Sequence, residues 1–209
     1  MKLLIFGSTG LTGRELVTQA LDAGHDVTAF ARDPAKMQIE HDRLNIVKGN
    51  ISDPASIERA IPGHDVVLST LGSPGLGKSN MLSEGTRHII AAMVSAGVKR
   101  LIFESSIGIG DSRDHASVFA RWIFFPIFLK NIFADKEIQE EIIMESSVDW
   151  IIVRPGRLTN GPRTGNYREG DEINAVAVGG SISRADTAEF MLLQLTDDRY
   201  LHQTPAVSY

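Results

Sequence analysis

The chain has 209 residues, of which 43% are hydrophobic and 22% are charged, and this composition predicts one globular domain over residues 1–209. Its formal net charge of −5 argues against a nucleic-acid partner, because proteins that bind nucleic acid usually carry a basic surface. The absence of cysteine excludes disulfides, thiolate metal ligands and a cysteine nucleophile, and with the lack of a signal-peptide pattern it predicts a cytoplasmic protein.

The first predicted elements are a strand, Lys2–Phe6, and a helix, Arg14–Ala23, joined by the segment Gly-Ser-Thr-Gly-Leu-Thr-Gly. Glycine adopts positive φ and has no Cβ, so a pyrophosphate can approach the backbone of such a turn and bind the free N–H groups of the helix N-terminus. Glycines placed between a buried strand and a helix are a strong sign of a dinucleotide site. The predicted cofactor contacts are Gly7, Ser8, Thr9, Gly10, Leu11, Thr12 and Gly13.

The second predicted strand, Asp26–Ala31, is followed by Arg32. In dinucleotide-binding folds an acidic residue near this position holds the ribose 2′-hydroxyl of NAD, whereas an arginine accommodates the 2′-phosphate of NADP. A guanidinium can grip that phosphate with two hydrogen bonds, and Arg14 can reinforce the site. We therefore predict NADP, as NADPH, in preference to NAD. The alternative is that Arg32 is a solvated surface residue.

The third predicted strand, Leu44–Lys48, is followed by Gly-Asn-Ile, at a place where a side chain can touch the adenine. Asn50 and Ile51 are therefore predicted cofactor contacts. The alternative for this segment is a helix start, with Ser52 or Asp53 as the N-cap of the next helix.

The fourth predicted strand, Val66–Leu71, leads into Gly72, where a glycine lets the backbone pass beside the nicotinamide ribose. Leu71 and Gly72 are predicted cofactor contacts, with a plain turn as the alternative. The segment Gly72–Ser79 also matches the P-loop pattern G-x-x-x-x-G-K-S, and Glu104 then offers an acidic strand end for magnesium. We disfavour a triphosphate site, because a phosphate cradle already follows the first strand and a proline removes one N–H from this loop.

Candidate catalytic residues follow the fifth predicted strand, Arg100–Glu104. Ser105 and Ser106 come at its carboxyl end, where ligands bind in such sheets, and a serine hydroxyl there can bond the nicotinamide or a substrate carbonyl. We assign Ser105 to the cofactor and Ser106 to catalysis, with strand-end turn serines as the alternative. Lys136 begins the next predicted helix and can neutralise charge on substrate or cofactor; the alternative is a solvated helix lysine.

The sixth predicted strand, Trp150–Arg154, continues into Pro-Gly-Arg toward the same rim. Pro155 is a predicted cofactor contact. Arg157 is predicted to bind an anionic group of the substrate, with a surface role as the alternative.

Apolar runs alternate with helical patterns along the chain, and continuous apolar runs are typical of parallel strands covered on both faces. We therefore predict an α/β fold, a single Rossmann-type doubly wound parallel sheet with helices on both faces and ligands at the carboxyl ends of its strands. The remaining predicted elements are helices at Pro54–Ile61, Ser83–Ala96, Lys136–Ser146 and Arg184–Leu195 and a weaker strand at Ala175–Val178.

The short-chain dehydrogenases that reduce carbonyl groups use Tyr-x-x-x-Lys, in which the tyrosine protonates the developing alkoxide. None of Tyr167, Tyr200 and Tyr209 has a lysine four residues later. A flavin, quinone or tetrapyrrole acceptor leaves a delocalised anion that solvent can protonate, so its site needs mainly positioning. The aromatic segment Val118–Phe128 offers faces that stack on a planar substrate, with core packing or a dimer surface as the alternative.

Several segments resemble the biliverdin-IXβ reductase (NADPH-dependent flavin reductase) family of atypical, NmrA-like short-chain dehydrogenases. The resemblance covers nearly the whole chain and lies in Ile5–Gly13, Ala31-Arg32-Asp33, Met81–Gly85, Pro162–Tyr167, Ile182–Asp186 and Ser208-Tyr209. It implies an NADPH-binding domain with a shallow pocket that reduces flavins or linear tetrapyrroles, and it places Ser106 at the substrate-side serine of the family. Arg157 replaces a family histidine and Gly156 a family proline.

The leading hypothesis is an NADPH-dependent reductase of a small planar acceptor, with a substrate pocket formed by about residues 105–183, no membrane partner and a monomeric or weakly dimeric state. The alternative is a non-catalytic NADP-binding redox sensor of the NmrA-like type. A nucleotide-sugar epimerase or dehydratase is a third possibility, disfavoured because that chemistry normally uses the same absent tyrosine.

Overall fold

The structure, a computed structural model, describes residues 1–73, 75, 77, 79–109, 130–170 and 180–209, without the side chains of 130–132. The strands are β1 (Lys2–Phe6), β2 (Asp26–Ala31), β3 (Leu44–Lys48), β4 (Val66–Ser69), β5 (Arg100–Glu104), β6 (Asp149–Pro155), β7 (Arg157–Thr159), β8 (Arg168–Gly170), β9 (Ser181–Ser183) and β10 (Ala206–Ser208). The helices are α1 (Leu11–Asp22), α2 (Pro54–Ala60), α3 (Met81–Ala96), α4 (Lys130–Met144) and α5 (Arg184–Leu193), with a 3₁₀ turn at Pro34–Lys36.

Eight of these strands form one sheet in the order β3-β2-β1-β4-β5-β6-β10-β8. Every pairing is parallel except that of β8 with β10. The order reverses between β1 and β4, and in open α/β sheets the crevice at the carboxyl ends of the strands beside this reversal is the place where ligands bind. β7 and β9 form a separate two-stranded parallel sheet. The observed architecture confirms the predicted doubly wound α/β fold.

The two faces of the sheet carry separate hydrophobic clusters, because successive residues of a strand point to opposite sides. Leu3 and Ile5 of β1 pack with α1 and α5, whereas Leu4 and Phe6 pack with the face covered by α2 and α3. All four side chains are fully buried. Each such side chain contributes about 1.5–3 kcal/mol relative to an exposed position, so the burial of these four side chains holds β1 and the turn that follows it in place.

Several element boundaries differ from the predicted ones. α1 begins at Leu11 rather than at Arg14, so Thr12 and Gly13 are helical. α4 begins at Lys130, six residues before the predicted start at Lys136. β4 ends at Ser69, and Leu71 lies beyond the strand.

The strands β7, β8, β9 and β10 were not predicted, since segments of three residues are too short to show a period. The predicted strand at Ala175–Val178 and the aromatic segment Val118–Phe128 lie outside the described residues. Among the helices that the structure describes, none has the length and apolar character of a membrane-spanning segment.

Candidate functional site

The turn after β1 brings backbone, rather than side chains, to the start of α1. Gly7 has φ +75°, and a Cβ placed on it would lie 2.6 Å from the carbonyl oxygen of Thr70. A Cβ on Gly13 would lie 2.2 Å from the carbonyl oxygen of Gly7, so this glycine allows the helix to pack against the turn. The N-cap, Gly10, provides no side-chain hydrogen bond to the helix. The first amides of α1 are therefore available to an anion.

A cavity of about 340 Å³ extends from this turn across the carboxyl ends of β2 and β3. The predicted cofactor contacts that line it are Gly7, Thr9, Gly10, Arg32, Asn50, Ile51, Leu71 and Gly72. Phe30 also lines it, and a Cβ on Gly49 would lie 2.2 Å from the Phe30 ring. Phe30 itself packs on Phe6 with ring centroids 4.8 Å apart. The cavity is therefore a slot with an aromatic wall, a shape that suits a flat base.

Arg32 is the basic residue that lines the first cavity, and Arg14 and Lys36 lie beside the turn that follows it; these three residues are called the basic edge. Arg32 is exposed and lines the cavity. The Nη2 of Arg14 donates to the carbonyl of Lys36 at 2.7 Å, which ties α1 to the 3₁₀ turn after β2. Lys36 lies 3.9 Å from Asp33 in an exposed ion pair, and Arg14 Nε has no hydrogen-bond partner in the described chain. The exposed guanidinium of Arg32 is therefore the positive charge that a ligand in the first cavity meets.

A second cavity, of about 610 Å³, adjoins the first on the other side of the sheet reversal. It is lined by five predicted site residues beyond those shared with the first cavity, namely Leu11, Thr12, Ser105, Ser106 and Lys136. Ser105 is buried, and its Oγ has no partner within the described residues. A buried hydroxyl without a hydrogen-bond partner is costly, and this one belongs to a residue of the cavity wall. Together with the open amides of α1, this hydroxyl is a polar group that a bound dinucleotide could satisfy.

The second cavity contains a buried acid and a buried base. Glu104 Oε1 accepts a hydrogen bond from Thr12 Oγ1 at 3.1 Å, and Lys136 lines the same cavity from α4. Burial raises the pKa of Glu104 to about 7, against the opposing charges of Lys136 and Arg184 and the Thr12 hydrogen bond. Burial lowers the pKa of Lys136, against the opposing charges of Glu104, Glu140 and Asp135.

Lys136 is held in position by its neighbours on α4. Asp135 accepts hydrogen bonds from the backbone N–H groups of Leu82 and Ser83 at 3.1 and 3.2 Å, so α4 caps the start of α3. One turn after Lys136, Glu140 pairs with Arg154 of β6 at 2.7 Å, and both side chains are at most 3% exposed. A buried, hydrogen-bonded pair of this kind fixes the face that α4 presents to the sheet.

Four predicted site residues line neither cavity. Ser8 is fully buried, and its Oγ donates to the carbonyl of Phe30 at 3.0 Å. Gly13 packs against the backbone of Gly7, and Pro155 is buried at the end of β6. Arg157 is exposed on β7. The roles assigned to these residues stay predictions, and the first three are placed to support the walls of the site.

The N-cap predicted near Asn50 is present at Asp53, whose side chain accepts from the backbone N–H of Ala55 at 3.2 Å. Asn50 Oδ1 accepts from the N–H of Ser52, and Asn50 also lines the first cavity. Residues 74, 76 and 78 of the P-loop pattern lie outside the described chain. No cluster of three or more metal-ligating side chains occurs among the residues that the structure describes.

Sequence reasoning missed several lining residues that come from distant segments. Arg184, Phe133 and Leu158 line the second cavity, and Phe30 and Met81 line the first. Glu104 was considered only as a magnesium ligand. A charged residue at the end of an otherwise apolar buried strand was the available signal for it.

A family profile described as NAD(P)H-binding matches residues 7–198. An uncharacterised sugar epimerase of Bacillus subtilis is 27% identical over 204 residues, which cover 94% of this chain and 89% of the relative. An anaerobilin reductase from Escherichia coli O157:H7 has a TM-score of 0.82 and 22% identity, over 100% of this chain and 97% of that one. A short-chain dehydrogenase/reductase from Veillonella parvula, solved in complex with NADP, has a TM-score of 0.79 and 19% identity, over 100% and 94% of the two chains.

At these identities the solved structures show the shared fold, and the family profile covers most of the chain. The tetrapyrrole, flavin or epimerase chemistry of any one relative does not follow from such a match. The chain belongs to the NAD(P)H-binding family, as its resemblance to the atypical, NmrA-like short-chain dehydrogenases predicted.

Proposed function

We propose that the protein is an NADPH-dependent reductase of a planar, conjugated acceptor of the flavin, quinone or tetrapyrrole class. The observation that carries the proposal is the pair of adjoining cavities at the sheet reversal. The first has a basic edge suited to the 2′-phosphate, and the second leaves about 610 Å³ for the nicotinamide end and an acceptor beside it. A nicotinamide cofactor bound there supplies the hydride.

The positions of the tyrosines support a conjugated acceptor rather than a simple ketone. The structure describes all three, and none lines either cavity. Tyr167 packs edge-on against Phe190 with ring centroids 6.1 Å apart, and Tyr209 donates to Asp186 at 2.6 Å. Tyr200 is buried among core residues. A phenol is therefore not available to protonate an alkoxide, and an acceptor that delocalises the added charge suits the site.

Three side chains of the second cavity are assigned roles toward the ligands. We assign Ser105 Oγ, which is buried and has no hydrogen-bond partner among the described residues, to the carboxamide of the nicotinamide. Ser106 lines the cavity, and its Oγ donates to the carbonyl of Ile107 at 3.1 Å, so the oxygen keeps its capacity to accept a hydrogen bond from a ligand. Lys136 provides positive charge toward the anion formed on the acceptor. Arg157, which lies outside the cavity, has no part in this proposal.

Anaerobic mixing of the full chain with NADPH and, in turn, FMN, riboflavin, a quinone and a linear tetrapyrrole tests the proposal. We expect NADPH oxidation above background with at least one of them, and a primary isotope effect with NADPH deuterated at C4. The Ser105→Ala variant is expected to bind NADPH about fivefold more weakly, the loss of one hydrogen bond. The matched control is Glu58→Gln, which changes an exposed carboxylate of α2 outside the cavities.

NADPH that binds tightly but is not oxidised by any of the four acceptors overturns the reductase proposal. That outcome leaves a cofactor-binding protein without turnover, which is the behaviour of a redox sensor. A sensor is then identified by a marked difference between the affinities for NADP and NADPH.

A further inference from the structure

Glu104 is a buried carboxyl group at the wall of a cavity, and it is not held as a structural ion pair. Its side chain is 7% exposed and lines the second cavity. The buried pair of Glu140 and Arg154 shows the contrast, since those charges are in contact at 2.7 Å. At Glu104 the one hydrogen bond recorded in the described chain comes from the Thr12 hydroxyl, and no salt bridge joins it to Lys136 or Arg184.

The groups that face Glu104 come from three helices. Thr12 lies in the first turn of α1, Lys136 in α4 and Arg184 at the start of α5. The two cations favour the ionised carboxylate, and burial opposes it more strongly, so the pKa of the group is raised to about 7. The carboxyl group is therefore close to half-protonated at neutral pH, and a modest change in the local field decides its state.

The Thr12 hydrogen bond also places Glu104 beside the anion site. Thr12 belongs to the same helical turn whose free amides fit the cofactor diphosphate. An anion bound there repels the Glu104 carboxylate across a poorly solvated space. It also offsets the positive potential that Lys136 and Arg184 exert on Glu104. Both effects favour the neutral carboxyl group.

We propose that Glu104 takes up one proton when the dinucleotide diphosphate binds at the start of α1, so that NADPH binding is linked to proton uptake at this carboxyl group. The inference rests on the cofactor-binding part of the proposed function and needs no turnover. It makes Glu104 a neutral hydrogen-bond donor in the cofactor complex, facing the cavity that receives the acceptor.

The linkage has a characteristic dependence on pH. At about pH 8 the free protein holds little proton at Glu104, so binding takes up close to one proton if the pKa of the complex exceeds about 9. At about pH 6 the group is already protonated, and uptake falls toward zero. At pH values between the pKa of Glu104 in the free protein and its pKa in the cofactor complex, the affinity for NADPH drops about tenfold per unit rise in pH.

Calorimetric titration of the full chain with NADPH at about pH 8, in HEPES and in Tris, tests the inference, because the heat of buffer ionisation reports the protons taken up. The 2′-phosphate of the cofactor titrates in this range as well, so the wild type is compared with Glu104→Gln, in which that contribution is unchanged. We expect the uptake to be lost in Glu104→Gln and kept in Glu58→Gln. Affinity should also become nearly independent of pH in Glu104→Gln.

The outcomes of this titration distinguish failure of the proposed function from failure of the proton-uptake inference. If NADPH does not bind, the proposed function fails and the inference fails with it. If NADPH binds and the wild type takes up no proton at about pH 8, the inference is overturned while the proposed function stands. This outcome is measured on the wild-type protein alone. Uptake that persists unchanged in Glu104→Gln assigns the proton to another group and also overturns it. Uptake that peaks near pH 8 and disappears in the variant supports it.

Discussion

The two cavities of the site are built by opposite means. The first is shaped by glycines at the turn and after β3, which lack a Cβ and so let backbone and the Phe30 ring approach closely. The charge at its edge is carried by the exposed side chain of Arg32. The second is lined by the charges of Glu104 and Lys136, which are at least nine-tenths buried. The first is therefore sensitive to added atoms, and the second is sensitive to pH and to changes of charge. Substitutions at each cavity test this difference, and their expected effects run from the largest to the smallest.

Removal of one partner of the ion pair behind the second cavity is expected to have the largest effect. Arg154→Met leaves Glu140 as an uncompensated charge at 3% exposure. We expect the free energy of unfolding to fall by about 3–5 kcal/mol, measured by urea denaturation. The double variant Glu140→Leu with Arg154→Met should recover most of the loss, because both buried charges are then gone. A single variant that loses less than about 1 kcal/mol contradicts this account.

The stability of the protein without cofactor is expected to depend on pH through Glu104. Because the folded pKa, about 7, lies above the ordinary value of 4.5, the folded state binds this proton more tightly than the unfolded chain. Stability is therefore lost as pH rises from about 4.5 to about 7, by about 3 kcal/mol in total. Relative to wild type, Glu104→Gln should gain stability over this range, measured by urea denaturation at several pH values. A difference between the two proteins that does not change with pH contradicts the prediction.

An added methyl group tests the first cavity's turn. The Cβ of Gly13→Ala would lie 2.2 Å from a backbone oxygen, so the turn must move away from the helix. We expect a loss of about 1–3 kcal/mol in stability, and NADPH affinity lowered about 100-fold as the cradle shifts. Gly161→Ala is the matched control, since its Cβ meets its nearest atom at an ordinary 3.5 Å. Equal NADPH affinities in Gly13→Ala and Gly161→Ala would show that the turn after β1 does not contribute to NADPH binding.

The smallest expected effect concerns the choice between the two cofactors. Arg32 is exposed, so its contact with a 2′-phosphate is partly screened by solvent. We expect Arg32→Glu to raise the Kd for NADPH about tenfold relative to the Kd for NADH. Fluorescence titration with both cofactors measures this ratio. An unchanged ratio assigns the discrimination to another residue of the basic edge, such as Arg14.

The first cavity could be predicted from the sequence because its parts are local. The glycine turn, Arg32, Asn50 and Gly72 each follow a strand by a few residues, and a parallel sheet brings the carboxyl ends of its strands to one edge. The apolar runs also predicted six strands of the large sheet correctly in position. These features depend on backbone periodicity and strand order alone.

The second cavity was only partly predicted, because its chemistry depends on contacts between distant segments. Thr12 and Glu104 are 92 residues apart in the chain, and their hydrogen bond exists only after β1 and β5 enter the same sheet. Lys136 looks like a solvated helix residue in the sequence, yet it is 9% exposed. Arg157 was predicted to bind an anionic group of the substrate, but it lies outside both cavities, since β7 leaves the main sheet to pair with β9.

The strip formed by Gly10 and the segment Thr70–Ser73 lines both cavities. One ligand that spans the strip therefore completes the wall that the other ligand meets. Under the proposed reductase function, we expect a compulsory order in steady-state kinetics, in which the dinucleotide enters first, completes this wall for the acceptor and leaves last. Oxidised cofactor should then compete with the reduced form, while it inhibits noncompetitively when the acceptor is varied.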